Sequence, residues 1–197
     1  MQAGAWPRIN VEIAGGIFHS GRVKQIGLAI LLIFGAVFAG GCHKKVVVVS
    51  KPPSIEDLLP AHAQPKLPTM KIYLGAETLA AEQALTQREV MTGMMFRTNI
   101  QETDSMLFVF QQPYQASFWM KNCPESISAA YIDPAGVIQE IHHLEQNDTN
   151  GVVAAGDNIQ FVLETKEGWF ERHHIGIGTV IRTEKGSLQQ TFFPKQR

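Results

Sequence analysis

Ser128-Ala129-Ala130-Tyr131-Ile132-Asp133-Pro134-Ala135-Gly136-Val137-Ile138-Gln139-Glu140-Ile141-His142 is the stretch from which the fold can be read. Two runs rich in apolar residues, 128–133 and 137–142, flank the three-residue break Pro134-Ala135-Gly136. Pro134 presets φ and Gly136 closes the turn, so the sequence predicts a tight β-hairpin. Working outward, similar short runs lie at 71–74, 78–85, 106–110, 116–121, 159–165, 179–183 and 188–193, separated by turn residues. Runs of this length and spacing predict a mainly β fold, a sandwich or barrel-like single domain with one or two short helices. One helix start is marked by Thr86-Gln87-Arg88-Glu89, which fits a capping box. It should run to Thr92 and stop at Gly93. A second helical turn is expected around Trp169–His173.

Upstream the chain changes character. Arg22 and Lys24 precede an apolar run from Ile26 to Phe38, followed by Ala39-Gly40-Gly41-Cys42. A positive flank, a short apolar stretch and small residues form the anatomy of a secretory signal. The run falls short of the roughly 20 apolar residues that span a bilayer. Small residues directly before a Cys resemble the lipobox of bacterial lipoproteins, although Ala39 stands where Leu is usual. The resemblance implies that residues 1–41 are an export signal that is removed, and that Cys42 is lipidated and anchors the domain in the cell envelope, facing the periplasm or exterior. Residues 1–20 carry no export chemistry, and translation is expected to begin near Arg22.

Residues 42–70 hold half of the ten prolines and read as a flexible Pro-rich linker behind the lipidated Cys. The globular domain then spans 71–197. The net charge is −1, and no basic block is present. A nucleic-acid partner is therefore not expected. With Cys42 taken by lipid, Cys123 has no disulfide partner.

Gly93-Met94-Met95-Phe96-Arg97, Met106-Leu107-Phe108-Val109-Phe110, Phe118-Trp119-Met120-Lys121-Asn122 and Ala130-Tyr131-Ile132-Asp133 with Gly136-Val137-Ile138 stand out together. In order and spacing they resemble the domain of unknown function 192 family, over about residues 71 to 183. The resemblance implies a mainly β fold, frequent export, and no established activity. This chain departs from the family pattern at Cys123-Pro124-Glu125-Ser126, where Thr usually follows the Asn, and at Val152-Val153-Ala154.

On their own chemistry, Trp119 and Lys121 alternate onto one face of a strand over 116–121, with Phe118 and Met120 on the other. The indole offers a stacking surface, and Lys121 and Asn122 offer donors. Arg97 adds a planar charged fork for a carboxylate or phosphate. With Asp133, these make the candidate ligand-binding set: Arg97, Trp119, Lys121, Asn122 and Asp133. The bland reading pairs Arg97 with Asp133 or Glu102 and packs Trp119 into the domain.

No metal site and no cofactor is expected. His142 and His143 are adjacent on a strand and point to opposite faces, and His173–His174 pose the same difficulty. Cys123 reads as a small semi-buried residue. No complete catalytic constellation is visible, so the expectation leans away from an enzyme. The reading is a lipid-anchored, non-catalytic binding or accessory module for a small polar, glycan or peptide ligand. The alternatives are an extracytoplasmic hydrolase or transferase using carboxylates such as Asp133 or Glu164, and a structural or assembly partner of another envelope protein.

Overall fold

The computed structural model describes residues 59–194; the export segment, Cys42 and the first part of the linker lie outside the described residues. The strands are β1 (Thr69–Leu74), β2 (Glu77–Ala84), β3 (Ser105–Tyr114), β4 (Ser117–Phe118), β5 (Ile127–Ile132), β6 (Ile138–Leu144), β7 (Val152–Val153), β8 (Ile159–Lys166), β9 (Ile181–Thr183) and β10 (Gly186–Ser187). The helices are α1 (Gln87–Thr92), α2 (Trp169–Arg172) and α3 (Leu188–Phe192). No helix among the described residues is long and apolar enough to cross a membrane.

The expected hairpin forms as β5 and β6, paired antiparallel. Gly136 at its turn has φ +85°, and a Cβ there would meet the Ile181 carbonyl at 2.9 Å. Eight strands join in the order β10-β9-β1-β2-β3-β8-β5-β6, and β4 and β7 pair separately. The eight-stranded sheet curls into a half-barrel. Its β6 end returns towards β9 through a bridge between Val137 and Val180 and a bond from Ile181 N to Gly136 O of 2.8 Å. β2 and β3 run parallel, joined by a crossover that contains α1.

Strand alternation gives the sheet two apolar faces, and both are covered. Ile72, Leu107, Phe161, Leu163 and Ile181 form a first core, closed by Trp169 and Phe170 of α2 and by Leu188 of α3. Met106, Phe108, Tyr131 and Val162 form a second core on the opposite face, covered by Met94, Met95, Met120 and Cys123. β5 is buried at every position and β8 at all but its last, as expected for strands covered on both faces.

α1 follows its sequence signals. Thr86 Oγ1 accepts from Glu89 N, Thr86 N donates to the Glu89 carboxylate, and Gly93 ends the helix. Two expectations are corrected. Residues 188–193 are not a strand: Ser187 and Gln190 form a second capping box, which starts α3. The strand expected over 116–121 ends at Phe118, because the chain turns at Met120–Cys123, where Cys123 N bonds Met120 O at 3.0 Å.

Candidate functional site

The register of three strands sets a buried charged nucleus. Glu82 on β2 lies opposite Met106 on β3, and Met106 lies opposite Glu164 on β8. Residues opposed across strands share a face, so both acids point into the second core. Arg97 reaches Glu82 from the loop after α1, with Nη1–Oε1 2.5 Å and Nη2–Oε2 2.8 Å. The two side chains are 14% and 4% exposed, so this is a buried bidentate pair. Leu67 N also donates to Glu82 Oε2, at 2.7 Å.

The two acids sit in opposite protonation regimes. Burial pulls the Glu82 carboxyl up, but the Arg97 guanidinium and the Leu67 N–H outweigh it and hold the group below the usual carboxylate range. Glu164 has Arg97 only as a more distant charge; burial pushes it up to about 8. Its Oε2 has no hydrogen-bond partner among the described residues. At neutral pH one acid is charged and paired, and the other is a neutral carboxylic acid.

Loops gather above this nucleus. Phe96, Asn99, Asn122 and Asn147 all take left-handed backbone, with φ of 60°, 58°, 60° and 56°. Asn tolerates that region; Phe does so at a cost of about 1–2 kcal/mol. Gly93 permits the turn that precedes Arg97: its φ is +47°, and a Cβ there would meet the Phe108 ring at 3.2 Å. Phe96 N bonds Asn122 O at 2.7 Å, and Asn147 N bonds Cys123 O at 2.9 Å. The Glu125 carboxylate accepts from Asn99 N and Ile100 N. Backbone in such regions concentrates where function or packing over-determines it.

Beside Arg97 opens a cleft of about 220 Å³, lined by Gln64 and Lys66 on one side and by Met94, Arg97, Thr98, Ile100 and Asp104 on the other. Gln64 and Lys66 belong to the stretch read as a linker. Gln64 Nε2 donates to the carbonyls of Glu89 at 3.2 Å and Gly93 at 2.9 Å, satisfying the C-terminal end of α1. Lys66 Nζ lies 3.6 Å from Asp104 Oδ1.

The structure brings some of the candidate residues together and separates others. Asn122 is tied through its carbonyl to the loop that carries Arg97. Lys121 Nζ stands 5.6 Å from the centroid of the Trp119 ring; this proximity comes from the turn after β4 and not from strand alternation. Asp133 lies in the β5–β6 turn, where its carboxylate accepts from Val137 N at 3.0 Å and from Gln139 Nε2 at 2.8 Å. β5 pairs with Glu164 at Ala129, so at about 3.3 Å per residue Asp133 lies roughly 13 Å further along the sheet. Arg97 pairs with neither Asp133 nor Glu102, the partners of the bland reading. Glu102 is taken by Arg172 at 2.6 Å. Glu82 escaped sequence reading; the available signal was an acid two residues before Ala84, on the same buried face of β2.

Cys123 is buried, and burial pushes its thiol up to about 12, which suppresses thiolate chemistry. His142 bonds Glu140 at 2.8 Å, while His143 faces Glu145 at 3.0 Å. No group of three His, Cys, Asp or Glu residues that could hold a metal ion is found among the described residues.

The hairpin, the turn that seats Arg97 and the Phe118–Asn122 turn fall within residues 70–183, which match the family described as DUF192, "Uncharacterized ACR". The chain belongs to the DUF192 family. No curated protein matches it. Among solved structures, a candidate transcription regulator from Sinorhizobium meliloti 1021 shares 21% identity and a TM-score of 0.57, covering 61% of this chain and 98% of its own. A protein of unknown function from Novosphingobium aromaticivorans DSM 12444 shares 23% identity and a TM-score of 0.57, covering 68% and 99%. At these identities the two neighbours support the fold of this DUF192 chain alone.

Proposed function

We propose that this DUF192 protein is a lipid-anchored domain of the cell envelope that binds a small polar, glycan or peptide ligand without transforming it. The anchor rests on the sequence alone, through the Arg22-to-Cys42 pattern. The binding role is carried by one observation: the cleft lined by Arg97, a guanidinium fork fixed by Glu82. Holding the fork by a buried pair fixes its direction before any ligand arrives, which lowers the entropy cost of binding. Trp119, Lys121 and Asn122 belong to the same loop cluster and form the second part of the proposed binding face. Asp133 is left out, because its carboxylate is spent on the hairpin turn.

The anchor is tested by labelling cells with radioactive palmitate: label should enter the wild-type chain and vanish from Cys42→Ala. The binding role is tested by a thermal-shift screen of the mature chain with cell-wall fragments, oligosaccharides, short peptides and anionic metabolites. A ligand at a hundred times its Kd adds about 2.7 kcal/mol. A shift that is lost in Trp119→Ala or Lys121→Ala proteins that remain folded supports the reading. A screen in which nothing shifts the melting temperature counts against it.

A further inference from the structure

We infer that the cleft at Arg97 is a site for a small zwitterion, of amino-acid to dipeptide size, and that the linker supplies one of its walls. The inference rests on the binding-module reading and names its ligand class. A cleft of about 220 Å³ falls below the roughly 300–1,000 Å³ of pockets for drug-sized ligands, which suits a ligand of amino-acid to dipeptide size.

The lining carries both signs of charge. Arg97 has five N–H donors, and the pair with Glu82 uses one on each Nη. Glu82 and Arg97 offset each other's charge, so this wall offers N–H donors without a net charge, and the positive charge for a carboxylate comes from Lys66. Glu164 adds no negative charge at neutral pH, since burial keeps it protonated. Lys66 and Asp104 face each other at 3.6 Å in the same lining, and the Lys66 side chain is 80% exposed. An exposed ion pair of this kind is weak, so a ligand can separate it at little cost. Its carboxylate then takes Lys66 and Arg97, and its ammonium takes Asp104. Met94 and Ile100, 3% and 6% exposed, give the apolar wall for a short side chain.

The linker is part of this site and not only a spacer. Gln64 holds the end of α1, Leu67 N holds Glu82, and Gln83 N bonds Pro68 O at 3.0 Å. Leu59 and Leu67 pack on the second core. With residues 64–67 undocked, the cleft loses Gln64 and Lys66 and becomes an open face. Ligand binding and docking of the linker are therefore coupled.

The test is calorimetric titration of the full chain in detergent micelles with L-alanyl-L-leucine, its N-acetyl form and its C-amide form. The free dipeptide should bind, and each blocked form should bind at least tenfold more weakly. Lys66→Ala, Gln64→Ala and Asp104→Asn, all at the rim, should each weaken the free dipeptide by a similar factor while the fold is retained. Amide exchange at Leu67 should slow at saturating dipeptide. Equal binding of free and blocked forms, or unchanged binding in the three variants, overturns the inference. If another ligand from the screen binds and is blind to Lys66→Ala and Asp104→Asn, the zwitterion site falls and the binding-module reading stands. If neither dipeptide nor screen ligand binds, both fall.

Discussion

Replacing Glu164 with Gln should flatten the pH dependence of stability. The side chain is wholly buried, and burial raises its pKa from the ordinary 4.5 to about 8. The folded state therefore holds a proton that the unfolded chain releases above pH 4.5. Where the unfolded state binds fewer protons, stability falls as pH rises. The decline starts near the unfolded value and ends near the folded one, a window of roughly pH 4.5 to 8. Integrating the linkage relation over pH 5 to 7 gives a loss of roughly 2–3 kcal/mol from this one group. Glu82 is shifted the other way; its contribution is complete above its unfolded value and fades only in acid. Gln keeps the shape of the neutral carboxyl and cannot titrate. The assay is urea unfolding of both proteins at unit pH steps from 5 to 8. The difference between Glu164→Gln and wild type should move in favour of the variant by roughly 2–3 kcal/mol from pH 5 to 7. Parallel curves would refute the reasoning, since they would mean that Arg97 or solvent compensates the buried carboxylate.

Three further outcomes follow from the same geometry. Arg97→Ala leaves Glu82 buried without its partner and should cost about 3–5 kcal/mol, whereas Arg97→Met with Glu82→Leu should recover most of it; denaturant midpoints of the three proteins check this. Gly136→Ala places a Cβ against the Ile181 carbonyl at φ +85°. It should cost about 2 kcal/mol or more by urea unfolding, and an unchanged midpoint would remove Gly136 from the closure of the half-barrel. The Cys123 thiol, buried and pushed up to about 12, should resist iodoacetamide at pH 8 until denaturant is added. Mass spectrometry of the alkylated protein reads this directly, and fast labelling of the folded chain would contradict the burial.

What sequence alone determined is local. The Asp133–Gly136 turn, the Thr86–Glu89 capping box and the stop at Gly93 depend on side chains within four residues of the backbone they organise, and each was legible. The runs at 128–133 and 159–165 declared a β domain because a strand covered on both faces must be apolar almost throughout. The Ser187–Gln190 box is equally local, and the apolar run after it masked a helix as a strand. The remainder depended on register. Glu82 and Glu164 are 82 residues apart in the chain by their numbers, and only the pairing of β2, β3 and β8 puts both beside Met106. Arg97 is legible as a charged fork, but its partner is not: Glu82, Glu102 and Asp133 are equivalent acids in one dimension. The tertiary structure chose among them through the turn at Phe96, where a strained backbone is held by Asn122 from another loop. It also folded the end of a Pro-rich linker onto the domain, where Gln64 donates to the carbonyls at the end of α1 and Leu67 N adds a donor to the buried Glu82 carboxylate.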